Sequence, residues 1–346
     1  MRYPQFIHKS QVIDLVAPSF GANIEPYHSQ VKHAIEWFKR KGYCIHEGSN
    51  IYLGNGIGIS NTPQLCAKEL MDAYLSENQG IISVGGGEMM CTILPFLDFN
   101  AIAKANEKWF MGFSDNTNFS FVLTTGYDIA SINGTNMGSF GLTPMHQCVQ
   151  DAYHLLTGNH FINNTITLES YDKWEKDSLK DKDNPLVGYQ LNKEVKYVKS
   201  PLNFNGTIKG RLLVGTLDCL LNLCGTQFDY VKQFNERNAN DGIIWVLDAC
   251  ELTPFMIARG LWQLKNAGWF NYVNGFIFGR SLTAFGMHTL SMDAYNCITS
   301  ILNDFNVPII MDFDYGHYEP CMPFIVGSYA TFTIQGNHSQ VTMELK

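Results

Sequence analysis

The stretch Trp109-Phe110-Met111-Gly112-Phe113-Ser114-Asp115-Asn116 decides how this chain is read. A short apolar run stops abruptly in a polar turn, which is the pattern of a buried strand followed by a loop. Two earlier stretches repeat it. Gln11-Val12-Ile13-Asp14-Leu15-Val16 runs into Ala17-Pro18-Ser19-Phe20-Gly21, and Gly80-Ile81-Ile82-Ser83-Val84 runs into Gly85-Gly86-Gly87-Glu88. Between them, Tyr27 to Lys41 has helical spacing (Val31, Ile35, Phe38) and ends at Gly42, a natural C-cap, and Pro63 to Leu75 forms a second helix. Strands that alternate with helices imply a parallel sheet with helices on its faces. Such sheets bind ligands at the carboxyl ends of their strands, where loops 17–21, 85–88 and 114–117 fall.

The pattern changes after residue 156. Residues 157–205 are polar, with the charged run Lys176 to Pro185 reading as a solvated linker or insertion. Order resumes at Gly206. Leu213 to Leu223 and Phe255 to Ala267 read as helices. Gly242 to Leu247, Gly275 to Arg280 and Pro308 to Met311 read as strands, and Phe324 to Met343 alternates as antiparallel strands do. The expected architecture is α/β, with an N-terminal, mostly parallel sheet flanked by helices over 1–156. A linker over 157–205 leads to a smaller C-terminal α/β domain over 206–346 with antiparallel or barrel-like strands.

Composition excludes several function classes. In 346 residues there are 24 Lys+Arg against 32 Asp+Glu, a net charge of −8, with no basic cluster, so a nucleic-acid partner is not expected. Hydrophobic residues make up 45% and charged residues 16%, enough apolar material for a packed core rather than a disordered chain. No signal peptide is expected from the N-terminal residues and no apolar run of about 18 residues occurs, so a membrane partner is not expected either. Nine scattered cysteines without a C-x-x-C pair suggest reduced thiols in a cytoplasmic protein. No H-E-x-x-H occurs, and Asp312 and Asp314 near His317 make only a poor metal set, so neither a metal nor another cofactor is expected.

Ser114 is the sharpest candidate for chemistry. A serine at a tight strand-to-helix turn presents its hydroxyl beyond the sheet edge, beside N–H groups able to hold an oxyanion. The elbow G-x-S-x-G is incomplete because Asn116 stands where its last glycine would be, and an N-cap role for Ser114 is the alternative. The glycines at 85–87 allow close backbone approach to a ligand, or simply make a turn; they fit no phosphate-binding motif. His317, in Asp314-Tyr315-Gly316-His317-Tyr318-Glu319-Pro320, follows a strand in a Gly/Pro loop. Asp248 ends another strand and could orient an imidazole, with Glu251 as the rival acid.

These motifs, in this order, resemble serine peptidase family S66, the L,D-carboxypeptidases, which also holds the microcin C immunity hydrolases. The matching pieces include Ala17-Pro18-Ser19, Gly85-Gly86-Gly87, Gly112-Phe113-Ser114-Asp115, Gly215-Thr216-Leu217-Asp218, Leu247-Asp248-Ala249-Cys250, Arg259-Gly260-Leu261-Trp262 and Gly316-His317. The resemblance implies a Ser-Glu-His triad, with Ser114 as nucleophile and His317 as base. The acid position falls on Asp248, one methylene shorter than the family's Glu. So either the backbone sits closer or the third member contributes less. Val84-Gly85-Gly86-Gly87-Glu88 also departs from the family's Arg-Gly-Gly-Tyr-Gly.

The implied reaction is acyl transfer to Ser114 Oγ, with the N–H groups of Asp115 and Gly86 on the oxyanion and Gly87 and Asn116 close by. The usual family substrate is a murein tetrapeptide that loses its terminal D-alanine in cell-wall recycling. The site would draw on both domains. Arg280 is a candidate partner for the substrate carboxylate or else a structural ion pair. Trp174 either shapes the pocket or anchors packing. The alternatives are a microcin-type peptidyl or aminoacyl adenylate as substrate, for which Trp174 would stack, or a weakly active muropeptide-binding protein. The family also suggests a homodimer.

Overall fold

The computed structural model describes residues 1–346 and divides into two units. Unit 1 comprises Met1–His160, Asp177–Gln190 and Pro323–Ile325. Unit 2 comprises Phe161–Lys176, Leu191–Met322 and Val326–Lys346.

Unit 1 is built on strands β1 (Val12–Val16), β2 (Cys44–Glu47), β3 (Gly80–Ser83), β4 (Trp109–Gly112) and β5 (Ser131–Asn133), with β16 (Phe324–Val326) at the edge. Their order is β16-β5-β4-β3-β1-β2, and β2-β1-β3-β4-β5 pair in parallel. β3 and β4 are buried at every residue, as strands covered on both faces must be, which explains their unbroken apolar text. Helices α1 (Tyr27–Lys41), α2 (Pro63–Leu75), α3 (Phe99–Lys104), α4 (Thr117–Tyr127) and α5 (Gln147–Thr157) surround the sheet in sequence. α1 buries Val31, Ala34, Ile35 and Phe38, and Gly42 ends it in a left-handed cap at φ +95°. α2 starts on Thr62, whose hydroxyl accepts the Leu65 N–H, with Pro63 at the first helical position. The strand order reverses between β1 and β3, and the loops after β1, β3 and β4 leave the sheet at the carboxyl side of that switch point.

Unit 2 holds an eight-stranded sheet whose four central strands are largely buried. β10 (Gly206–Thr216), β11 (Ile243–Asp248), β12 (Val273–Gly279) and β15 (Ile309–Phe313) are parallel neighbours in that order. The sheet continues antiparallel beyond β10 through β17 (Tyr329–Gln335), β18 (His338–Glu344) and β6 (Thr165–Glu169), and beyond β15 through β9 (Val198–Ser200). Two ribbons, β7 (Lys173–Trp174) with β8 (Lys193–Glu194) and β13 (His288–Thr289) with β14 (Met292–Asp293), lie outside it. The mixed α/β class and the antiparallel C-terminal strands agree with expectation.

Two expectations change. Leu213 to Thr216 is strand, not helix, and α6 begins only at Leu217 (Leu217–Leu223). A short, fully apolar run has the same text in either state. Here β10 lies between β11 and β17, so burial on both faces decides for strand. The stretch 157–205 was expected as linker, yet it supplies β6 and β9 to the unit 2 sheet and residues 177–190 to unit 1. Their polar text reflects edge positions, where alternate residues meet solvent.

The glycine turn after β3 is shaped by the protein's own atoms. Gly87 has φ +136°, and a Cβ there would fall 2.1 Å from Ser19 Oγ, while one at Gly85 would meet the Phe20 ring at 2.8 Å. At Gly42 the backbone is also left-handed, but a Cβ would make only ordinary contacts at 3.7 Å or more. Gly87→Ala should therefore cost about 2–4 kcal/mol of stability, and Gly42→Ala about 1 kcal/mol from backbone strain alone. Urea unfolding of the two variants tests this, and equal losses would contradict it.

Candidate functional site

In unit 1 the site is the turn after β4. Ser114 sits at φ +63°, a left-handed conformation rare for a residue with a side chain. It opens the single turn Ser114–Asn116 before α4. The cap positions of that turn and of α4 are Phe113 and Asn116, so Ser114 is not the N-cap that its sequence context allowed. A strained residue between strand and helix is the geometry of a nucleophile elbow. Asn116 replaces the elbow's last glycine and has a structural role: its amide donates to Gly85 O at 2.8 Å and Phe113 O at 3.0 Å. Gly112 makes this possible, since a Cβ there would meet the Asn116 side chain at 2.7 Å.

Asp115, next to the candidate nucleophile, is 2% exposed and gathers three donors. Ser19 Oγ reaches Oδ2 at 2.5 Å, the Met90 N–H reaches Oδ2 at 2.8 Å and Asn118 Nδ2 reaches Oδ1 at 2.8 Å. Sequence reading singled out only the Asp115 N–H. The available signal was a serine closing β1 in the same way that Ser114 follows β4. Gly86 lies against Ser114, because a Cβ on it would be 3.0 Å from Ser114 Cβ and 3.3 Å from Oγ. Its carbonyl accepts the Phe20 N–H at 2.8 Å. Gly87 faces Ser19, so its bareness serves the Ser19–Asp115 bond rather than ligand approach.

In unit 2 the carboxyl ends of four parallel strands carry the polar groups. Asp248 closes β11 with its side chain fully buried, and its Oδ2 is 2.5 Å from His317 Nδ1. This is the carboxylate the ring meets. Glu251, the rival acid, is exposed and is held by its own N–H, which donates to Asp218 Oδ1 at 2.9 Å. Asp218 also accepts the Cys250 N–H at 3.0 Å and so fixes the turn that follows Asp248, a role missed although the residue lay within a recognised motif.

Bare backbone packs against Asp248. Gly316, at φ +107°, approaches so closely that a Cβ on it would lie 2.9 Å from Asp248 Cβ, and one on Gly279 would lie 3.4 Å away. Burial disfavours charge on the His317 ring. The charge and hydrogen bond of Asp248, with Cys250 acting in the same sense, outweigh it and hold the ring's pKa well above 6.5. The ion pair thus contributes to stability fully below pH 6.5, and that contribution is lost as pH rises through the raised value.

Arg280 is 1% exposed and its Nη2 binds Asp314 Oδ1 at 3.0 Å. Trp174 is also buried, with the Arg280 guanidinium 4.9 Å from its ring centre and Phe285 and Tyr318 edge-on at 5.3 and 5.2 Å. That is the environment of a packing anchor. No group of His, Cys, Asp and Glu capable of holding a metal ion occurs, and no helix is long and apolar enough to cross a membrane.

The fold agrees with the relatives that the chain matches. The LD-carboxypeptidase N-terminal domain matches residues 13–134 and the LD-carboxypeptidase C-terminal domain matches residues 209–332. The chain belongs to this family, peptidase family S66. The microcin C7 self-immunity protein MccF of Escherichia coli is 24% identical over 314 residues, covering 89% of this chain and 86% of that protein. A MccF-like protein from Bacillus anthracis superposes with a TM-score of 0.83 at 21% identity over 100% of both chains. A muramoyltetrapeptide carboxypeptidase from Oxalobacter formigenes does so at 0.70 and 18% identity, over 96% of this chain and 99% of the other.

Replacing Asp248 by Asn should leave burial as the main influence on His317. Its ring pKa, followed by NMR, should then fall toward or below 6.5. An unchanged titration would mean that another group holds the ring's proton.

Proposed function

We propose that this chain is a serine hydrolase that cleaves small acyl conjugates through an acyl-enzyme on Ser114. The observation that carries the reading is the Asp248–His317 pair, a buried carboxylate set on an imidazole at a strand end. The left-handed Ser114 supplies the matching nucleophile. In this reading His317, oriented by Asp248, accepts the Ser114 Oγ proton as the hydroxyl attacks the scissile carbonyl. The N–H groups of Asp115 and Gly86 stabilise the oxyanion. His317 then protonates the leaving group, and water, activated by the same ring, releases the acyl group. The base must be neutral to act, and Asp248 favours its charged form. Activity should therefore rise with pH through an apparent pKa above 6.5.

For the substrate we infer an aminoacyl or peptidyl group joined to a nucleotide. The support is whole-chain likeness to MccF-type structures at TM-scores of 0.81 to 0.83, one of them in complex with aspartyl sulfamoyl adenosine, against 0.70 for the carboxypeptidase. Trp174 lends this no support, because Arg280 covers a face of its ring. Release of D-alanine from murein tetrapeptide is the second reading, favoured by the family description and the carboxypeptidase structure. A weakly active muropeptide-binding protein was motivated by the short acid, and the 2.5 Å between Asp248 and His317 weighs against it.

The test sets purified wild type beside Ser114→Ala on both substrates. Wild type should cleave the aminoacyl nucleotide faster than the tetrapeptide. Ser114→Ala should lose at least about 10³-fold on either, as removal of a serine nucleophile does. Faster release of D-alanine would favour the second reading, and hydrolysis that survives Ser114→Ala would refute both.

A further inference from the structure

The loop that carries His317 is closed at its base on one residue, Asp314. Its carbonyl accepts the Met322 N–H at 2.8 Å, so residues 314 and 322 are tied together with His317 between them. Its carboxylate points the other way, with Oδ1 on Arg280 Nη2 at 3.0 Å and Oδ2 on the Tyr171 N–H at 3.0 Å. Both members of the Arg280–Asp314 pair are excluded from water. A buried pair of this kind is a weak source of stability, because desolvation of the two charges offsets their attraction, but it fixes geometry.

What it fixes is the position of the ring. Arg280 directly follows β12, and at Gly279 the loop backbone lies on the strand so closely that a Cβ would fall 1.9 Å from Tyr315 O. β11, which ends in Asp248, is the adjacent strand. Arg280 is held from its other side by the Trp174 ring, which packs edge-on against Tyr318, the neighbour of His317. The charged and titratable groups facing Arg280 are Asp314, Asp312, Tyr197 and Tyr295. Asp172 also faces Asp314, and Asp248 and Cys250 face His317.

We propose that Arg280 and Asp314 are positioning residues: their buried ion pair seats loop 314–322 on the end of β12 so that His317 Nδ1 meets Asp248. Their effect on turnover rests on the serine-hydrolase reading, whereas their effect on the ring does not. Loss of the pair lets the loop shift while the strands stay in place.

The experiment compares Arg280→Met, Arg280→Lys and Asp314→Asn with wild type by His317 NMR titration and steady-state kinetics, with circular dichroism to verify folding. In Arg280→Met and Asp314→Asn the ring pKa should drop toward 6.5 as His317 leaves Asp248. Their kcat should fall about 10²-fold with KM little changed, the cost of misplacing a catalytic group by about 1 Å. Arg280→Lys should recover part of both. Either single change leaves one buried charge without its partner, so the doubly neutral variant Arg280→Met with Asp314→Asn carries the comparison if a single variant does not fold. Folded variants with unchanged ring titration and unchanged kcat would overturn the proposal. A ring shift in a protein that hydrolyses neither substrate would uphold the positioning role and refute the serine-hydrolase reading.

Discussion

The carboxylate of Asp115 is the constraint on which the candidate nucleophile depends. It is buried, so each oxygen must find donors, and the donors come from the loop after β1, the segment after β3 and the start of α4. Satisfying one side chain therefore draws those loops to a common point beside Ser114. The left-handed backbone at Ser114, which costs about 1–3 kcal/mol on its own, is tolerable because both of its flanks are held. Gly87 and Gly112 belong to the same arrangement, since each leaves room for a side chain that the network requires.

Unit 2 follows the same logic with different parts. Asp248 stands where the resemblance places the acid, and bare backbone packs against it. Gly316 and Gly279 present that backbone, and the His317 imidazole meets the carboxylate. A larger residue at either glycine would force the strand and loop apart.

Much of the fold was legible because parallel strands buried on both faces leave unbroken apolar runs and their loops leave breakers. β1, β3, β4, β11 and β12 were read that way, as were α1 and α8 (Pro254–Asn266). Leu213 to Thr216 was misread because an apolar run has no period to distinguish strand from helix. β6 and β9 were hidden because edge strands look like loops. At the candidate site, Ser114, Asp248 and His317 were singled out from their places after strands and from the family resemblance. The partners that hold them were not: Ser19 meets Asp115 across 96 residues and Arg280 meets Asp314 across 34, separations that no local pattern reveals. Arg280 and Trp174 were each left between substrate contact and a structural role, and both are buried, Arg280 against Asp314.

The most direct test of the central claim is covalent trapping with a fluorophosphonate, read by mass spectrometry of the digested protein. The account predicts one adduct, on the peptide containing Ser114, formed quickly by the wild type and far more slowly by His317→Ala. An adduct on another residue, or labelling of Ser114 at the same rate without His317, would contradict it.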